Sequence, residues 1–199
     1  MLDSHIRPII DRPLTLVARL CHKAGLQADQ ITLAGFIIGM MAGIAIIFGF
    51  FLTALCLILL SRMLDGLDGT VARLTAPTDR GAFLDIALDF IFYSFIPLSF
   101  ALNDASHALA AAFLIFTFVG TGTLFLAYAS IAEKRGIKQT TVKKGLFYLG
   151  GLTEGTETIA ILCAFCIWPD YFNILAIAFG VLCILTTIMR LYQGVMDFE

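Results

Sequence analysis

Four aspartates, Asp65, Asp68, Asp85 and Asp89, stand in a chain that is otherwise overwhelmingly apolar. On a helix, Asp65 and Asp68 at i and i+3 are separated by about 4.5 Å of axial rise and share a face. Asp85 and Asp89 at i and i+4 share another, about 6 Å apart along the axis. Pro77, Thr78 and Asp79 between the pairs read as a turn and a helix restart. One helix then crosses a membrane and the next returns, which brings both pairs to similar depth near one surface. An isolated carboxylate costs about 2.5 to 3.5 kcal/mol near the centre of a membrane helix, so four together need compensation. Hard divalent cations supply it, taking oxygen ligands from carboxylates and substrate phosphates, an arrangement suited to phosphoryl chemistry. The competing reading pairs the acids with Arg62, Arg73 and Arg80 or uses them as helix caps, but too many acids converge for the available bases.

The elements that must hold these residues are apolar. Ile31 to Leu60 and Phe90 to Leu102 contain no charged side chain. With 199 residues, 59% hydrophobic and 14% charged, the chain is too apolar for an ordinary soluble domain. Backbone polar groups in lipid require helices or closed barrels, and the long apolar runs lack strand alternation. The expected fold is therefore an all-α integral membrane protein, a single domain over residues 1–199. Six transmembrane helices are expected, at about Ile31 to Phe48, Leu52 to Arg73, Gly81 to Leu102, Ala108 to Ala129, Phe147 to just before Pro169, and Tyr171 to Arg190. Gly35, Gly39 and Gly43 form a small-residue stripe suited to close helix contact.

Residues 1–30 read as an N-terminal interfacial segment rather than a secretory signal, because charges interrupt its apolar residues. Leu14, Val17, Ala18 and Leu20 are expected on one face of an amphipathic helix beginning near Pro13, with Arg12, Arg19 and Lys23 on the other. The thirteen Lys and Arg residues fall on the N-terminal side of the bundle: the N-terminus, the Arg73 to Arg80 connection, Glu133 to Lys144, and the neighbouring helix ends. The turns near Gly49, Asn103 to His107 and Pro169 to Asp170 carry none. The positive-inside rule thus puts both termini and the acidic stretch in the cytoplasm, in an inner or cytoplasmic membrane. A net charge of −2 offers no nucleic-acid surface. Cys163 and Cys166 form a lone C-x2-C with no second pair and read as packing residues, like the other cysteines.

Asp65, Asp68, Gly69, Ala72, Arg73, Gly81, Asp85 and Asp89 fill every fixed position of D-x2-D-G-x2-A-R-x7-8-G-x3-D-x3-D, with a gap of seven residues from Leu74 to Arg80. This pattern resembles the signature of the CDP-alcohol phosphatidyltransferase family. Leu26 to Gly35 also resembles the family's approach to its first membrane helix, with Ala28 and Asp29 in place of the commoner Pro-Asn. The resemblance implies transfer of a phosphatidyl or phospho-alcohol group from a CDP-linked donor, CDP-diacylglycerol being favoured, to an acceptor hydroxyl with release of CMP. It further implies Mg²⁺ or Mn²⁺, two ions, held by Asp65, Asp68, Asp85 and Asp89, with Asp89 also the base. Gly69, Ala72, Arg73 and Gly81 then belong to the donor and nucleotide site. Arg62 has no preferred role by sequence, a carboxylate or a lipid phosphate being possible partners.

Glu154 and Glu157, among Thr153, Thr156 and Thr158, form a second polar cluster. Two carboxylates there need a cation, a hydroxyl-bearing ligand or protonation. An acceptor-binding role is the expectation, and an interhelical polar lock with Arg62 or a lysine the alternative. The acceptor is unidentified, with a polyol or amino alcohol slightly favoured because this span offers acids. Two other functions stand beside the main reading: transfer from a soluble CDP-alcohol to a lipid acceptor, and a non-enzymatic transporter or scaffold. Membrane lipids are expected partners, and the small-residue stripes permit a homodimer.

Overall fold

The computed structural model describes residues 14–135 and 153–198. Lys138, Lys143 and Lys144, the expected start of the fifth helix near Phe147, and the first thirteen residues of the N-terminal segment lie outside them. Every regular element among the described residues is helical. In order these are α1 (residues 14–23), α2 (Ala28–Ile47), α3 (Phe51–Leu74), α4 (Asp79–Asn103), α5 (Ala108–Lys134), α6 (Gly155–Ile167) and α7 (Phe172–Phe198). Single 3₁₀ turns, Ala105–His107 and Pro169–Tyr171, introduce α5 and α7.

Four segments are long and apolar enough to cross a membrane: Ala28–Ile47, Asp79–Asn103, Ala105–Lys134 and Pro169–Phe198. Six were expected, and the two others differ for identifiable reasons. The 24-residue α3 carries Arg62, Asp65, Asp68 and Arg73 from its midpoint onward. The described part of α6 has only 13 residues. At the other end of the chain, α7 does not stop near Arg190 but continues to Phe198, where Asp197 accepts a hydrogen bond from Tyr128 Oη at 2.8 Å and Phe198 packs on the Tyr128 ring.

Helix α2 packs on α3 and α4, and α5 packs on α7. The glycine stripe makes the first contact possible. A Cβ on Gly39 would lie 2.7 Å from Phe92 Cδ2 and 2.9 Å from Ser61 Oγ, and one on Gly43 would collide with the Phe95 ring. Ser61 Oγ donates to Gly35 O at 2.8 Å, a buried tie between α3 and α2. Gly49, at φ +78°, makes the turn from α2 to α3, a conformation costly for any residue with a Cβ. The core beneath is aromatic: Phe92, Phe100, Phe165 and Phe172 are fully buried, and Phe100 stacks on Phe172 with centroids 4.4 Å apart. Cys163 and Cys166 join this core as free thiols, as packing residues should.

Half of the expected apolar face of α1, Leu14 and Ala18, packs on the protein, and Val17 and Leu20 do not. Leu14, Ala18 and Cys21, at i, i+4 and i+7, pack with Ile31, Leu67 and Val71. Leu16, Val17 and Leu20 remain exposed on another face. Both ends of the α1 to α2 turn are then fixed by the protein. Gln27 N–H donates to Gln30 Oε1 at 3.1 Å, which starts α2 at Ala28, three residues earlier than expected.

Candidate active site

The connection between α3 and α4 is closed by a capping interaction. Thr78 Oγ1 accepts from Gly81 N–H at 3.0 Å, so α4 begins at Asp79 with its free backbone N–H groups facing the same end of the bundle as the last turns of α3. That antiparallel pairing brings Asp65 and Asp68 of α3 beside Asp85 of α4. One carboxylate oxygen from each lies within 4.8 Å of the others. Asp68 is buried, 4% exposed, and its Oδ2 has no hydrogen-bond partner among the described residues. A buried carboxylate oxygen without a donor is costly, and a hard cation shared between Asp68 and the carboxylates of half-buried Asp65 and exposed Asp85 would relieve it. The residues therefore fit a divalent ion.

Asp89 is placed differently. Arg62 Nη1 donates to Asp89 Oδ1 at 2.6 Å and lies 3.5 Å from Asp65 Oδ1. The guanidinium also faces the Phe92 ring, 4.3 Å from its centroid. Of the partners open to Arg62, the carboxylates are the ones it takes, so it forms no lock with Glu154 or Glu157 in this arrangement.

Beside the acidic cluster lies a cavity of about 600 Å³. Asp68, Gly69, Ala72, Arg73, Gly81 and Asp85 all line it, which gathers the expected donor residues and two of the acids on one wall. Gly69 has only Arg73 Nη1 within reach of an added Cβ, at 3.6 Å, so helix packing does not explain its lack of a side chain. Gly81 is tighter, at 3.1 Å from Thr78 Oγ1 and 3.2 Å from Asp29 Oδ1. Arg73 donates to Thr70 Oγ1 at 2.9 Å rather than to an aspartate. Its cationic head thus stands at the cavity wall, available to an anionic group.

The opposite wall was missed from sequence. His22, Gln27, Asp29 and Thr32, from the α1 to α2 turn and the start of α2, line the same cavity. Asp29 reaches across to Arg80 at 3.3 Å and so joins the first turns of α2 and α4. The signal was the unusual Ala28-Asp29 pair, which marks this turn as a place where the chain departs from its pattern.

Glu154 and Glu157 line neither this cavity nor the smaller one beside Arg62. Glu154 is the N-cap of α6, and its N–H donates to Glu157 Oε2 at 3.2 Å, while Thr158 Oγ1 donates to Glu154 O at 2.9 Å. Capping accounts for part of what these carboxylates do. Arg190 of α7 stands near enough to Glu154 to act on it electrostatically and also approaches Thr121 O at 3.4 Å. By sequence Arg190 marks only the expected end of the last helix.

A bundle of apolar helices with a carboxylate cluster opening onto a cleft of this size suits a membrane enzyme acting on a phosphate-bearing substrate. The comparisons with known proteins agree. The model of the CDP-alcohol phosphatidyltransferase family matches residues 26–189, and the chain belongs to this family. It is accordingly a CDP-alcohol phosphatidyltransferase by class. The inner membrane protein YnjF of Escherichia coli is 46% identical over 201 residues, covering 100% of this chain and 98% of that protein. An archaetidylinositol phosphate synthase of Methanothermobacter thermautotrophicus is 28% identical, covering 94% of this chain and 91% of its own length. The fold matches that of the phosphatidylinositol phosphate synthase PgsA1 of Mycobacterium tuberculosis, solved with CDP-DAG bound, at a TM-score of 0.73 and 21% identity over 92% of this chain and 94% of that one. A second structure of that synthase, with manganese and citrate, matches at 0.71 over 91% of this chain and 88% of that one.

Proposed function

We propose that this enzyme transfers a phosphatidyl group from CDP-diacylglycerol to the hydroxyl of a small acceptor, with Mg²⁺ or Mn²⁺ bound at Asp65, Asp68, Asp85 and Asp89. The carrying observation is that the carboxylates of Asp65, Asp68 and Asp85 converge at one end of a cleft walled by Gly69, Ala72, Arg73 and Gly81. The PgsA1 structures with CDP-DAG and with manganese support the choice of donor and metal.

A divalent cation held by Asp65, Asp68 and Asp85 would supply charge neutralisation for the diphosphate and for the leaving CMP. The chain's own residues do the rest. Gly69 and Gly81, without side chains, let the nucleotide approach the α3 and α4 backbones. Arg73 pairs with a donor phosphate, for which its fork geometry is suited. Asp89 accepts the proton of the acceptor hydroxyl as the oxygen attacks the phosphorus that bears the lipid alcohol. The new P–O ester bond forms, the bond to CMP breaks, and CMP leaves with the electron pair.

Glu154 and Glu157 are assigned to the acceptor, with Arg190 beside them. A cation at this position makes a phosphorylated polyol as reasonable an acceptor as the neutral polyol or amino alcohol favoured by the acids alone, and the inositol phosphate named by two of the similar enzymes leads the panel to be screened. Around the site we place a single domain of six spans, α2 to α7, with the N-terminal segment at the membrane interface and both termini and the cleft facing the cytoplasm. Any homodimer uses a surface other than the α2 glycine stripe, because Gly39 and Gly43 face α4 within the chain. CMP release by the purified protein, with products identified by mass across a panel of donors and acceptors, tests the reaction and names the substrates. Turnover of soluble CDP-alcohols but not of CDP-diacylglycerol would overturn the donor assignment.

A further inference from the structure

Arg62 lies inside the acidic cluster and is 7% exposed. Nη1 serves Asp89 at 2.6 Å and Asp65 at 3.5 Å, and Nη2 donates to Ser61 Oγ at 3.3 Å. Nε is buried and has no hydrogen-bond partner among the described residues. A fully satisfied structural arginine would leave no such donor, since an orphaned charged N–H is expensive. Alongside lies a cavity of about 10 Å³ lined by Arg62, Asp65, Asp85 and Asp89 together with Thr32 and Gly35. This volume suits a single water or small ion. Thr32 and Asp85 also line the large cleft, so the small cavity adjoins the donor site.

The carboxylates are therefore not equivalent toward cations. Asp68 and Asp85 make no ion pair with a basic side chain among the described residues, whereas Asp89 is held by Nη1. We propose that Arg62 is a resident competitor for the second divalent cation: it occupies Asp89 and the flank of Asp65 until that ion takes them, so the ions load in order. The first binds at Asp65, Asp68 and Asp85. The second must displace Nη1 from Asp89 against the repulsion of a fixed positive charge. Phe92 and Ser61 keep the guanidinium nearby after it yields, so Arg62 is a positioning residue for Asp89 in the metal-poor enzyme and a brake on the second ion. This inference rests on the metal-dependent reading of the site.

The test is an Mn²⁺ titration of the purified full chain in detergent, with free Mn²⁺ followed by electron paramagnetic resonance. Two dissociation constants are expected for the unaltered protein, the second weaker. In Arg62→Gln the ratio of second to first falls by at least about tenfold, the scale on which a unit charge acts at a few ångströms in a partly buried site. Arg62→Lys, which keeps the charge, retains the wide ratio. Should Arg62→Gln fail to fold, Arg62→Met, whose stem still packs on Phe92, is read in the same way. An unchanged or wider ratio in the folded neutral variant overturns the competitor role while leaving the metal-dependent reading in place. Absence of saturable Mn²⁺ binding to the unaltered protein overturns both.

Discussion

Asp68 of α3 and Asp85 of α4, seventeen positions apart in the chain, present carboxylate oxygens within 4.8 Å of each other, with Asp65 completing the group. Asp68 is buried and its Oδ2 has no hydrogen-bond partner among the described residues, so burying this carboxylate without a cation costs the fold stability. Asp68→Ala should therefore leave the melting temperature unchanged or raised in the metal-free protein, because it removes a buried acid with an unsatisfied oxygen. Turnover should fall by at least about 10²- to 10³-fold, as expected when an electrostatic element of the transition state is lost. Asp85→Ala should show the same loss. Thermal unfolding and CMP release, measured on the same preparations, check both halves.

The glycines divide into two kinds, and alanine substitution separates them. Gly39→Ala drives a methyl against Phe92 and Ser61 and should destabilise the protein by about 1 to 3 kcal/mol, as overpacking does. At Gly69 an added Cβ meets only Arg73 Nη1, at ordinary contact distance. Gly69→Ala should stabilise the helix by up to about 1 kcal/mol while raising the donor KM. Thermal melts and donor saturation curves give the comparison. A destabilised Gly69→Ala with normal donor KM would make Gly69 a packing residue after all.

Much of this was legible in the sequence because the acids repeat at helical spacing on two apolar segments separated by Pro77 and Thr78. That pattern sufficed to predict the α3 to α4 pairing and a convergence of acids, of which Asp65, Asp68 and Asp85 meet while Asp89 is taken by Arg62; Gly69, Ala72, Arg73 and Gly81 were read from the family resemblance rather than from spacing. The opposite wall was not legible. Asp29 and Thr32 reach the cleft through the α2 to α4 packing that Gly39 and Gly43 permit, a tertiary relation whose one local trace is the Ala28-Asp29 pair. Arg62 was ambiguous for a similar reason, since its partner Asp89 lies 27 positions away on the returning helix. The packed face of α1 was only half legible, Leu14 and Ala18 but not Cys21, because two overlapping apolar stripes, Leu14-Ala18-Cys21 and Leu16-Leu20, compete within ten residues, and only contact with Leu67 and Val71 chooses between them. Glu154 and Glu157 looked like a site in isolation, while in the fold they also cap α6.

The cytoplasmic placement of the cleft can be tested at the α3 to α4 connection. In a variant whose five native cysteines are replaced, a cysteine introduced at Pro77 should react with a membrane-impermeant maleimide in inside-out vesicles and not in intact cells. Labelling from outside intact cells would reverse the orientation.

The acceptor assignment makes a separate prediction. Glutamine can still make the reach-back bond of a capping box, so Glu157→Gln should fold normally. Loss of a charged hydrogen bond to the acceptor, worth roughly 1.5 to 3 kcal/mol, should raise the acceptor KM by about 10- to 150-fold with a smaller change in kcat. Unchanged acceptor saturation in a folded Glu157→Gln would leave Glu157 with capping alone.

The most direct measurement of the central claim is CMP release by the purified full chain supplied with CDP-diacylglycerol and the acceptor panel, before and after exhaustive chelation. The account predicts a phosphatidyl-acceptor product and one CMP for each turnover, loss of both on chelation, and recovery on adding Mg²⁺ or Mn²⁺. Full turnover in the chelated protein, or full turnover in Asp68→Ala, would contradict it.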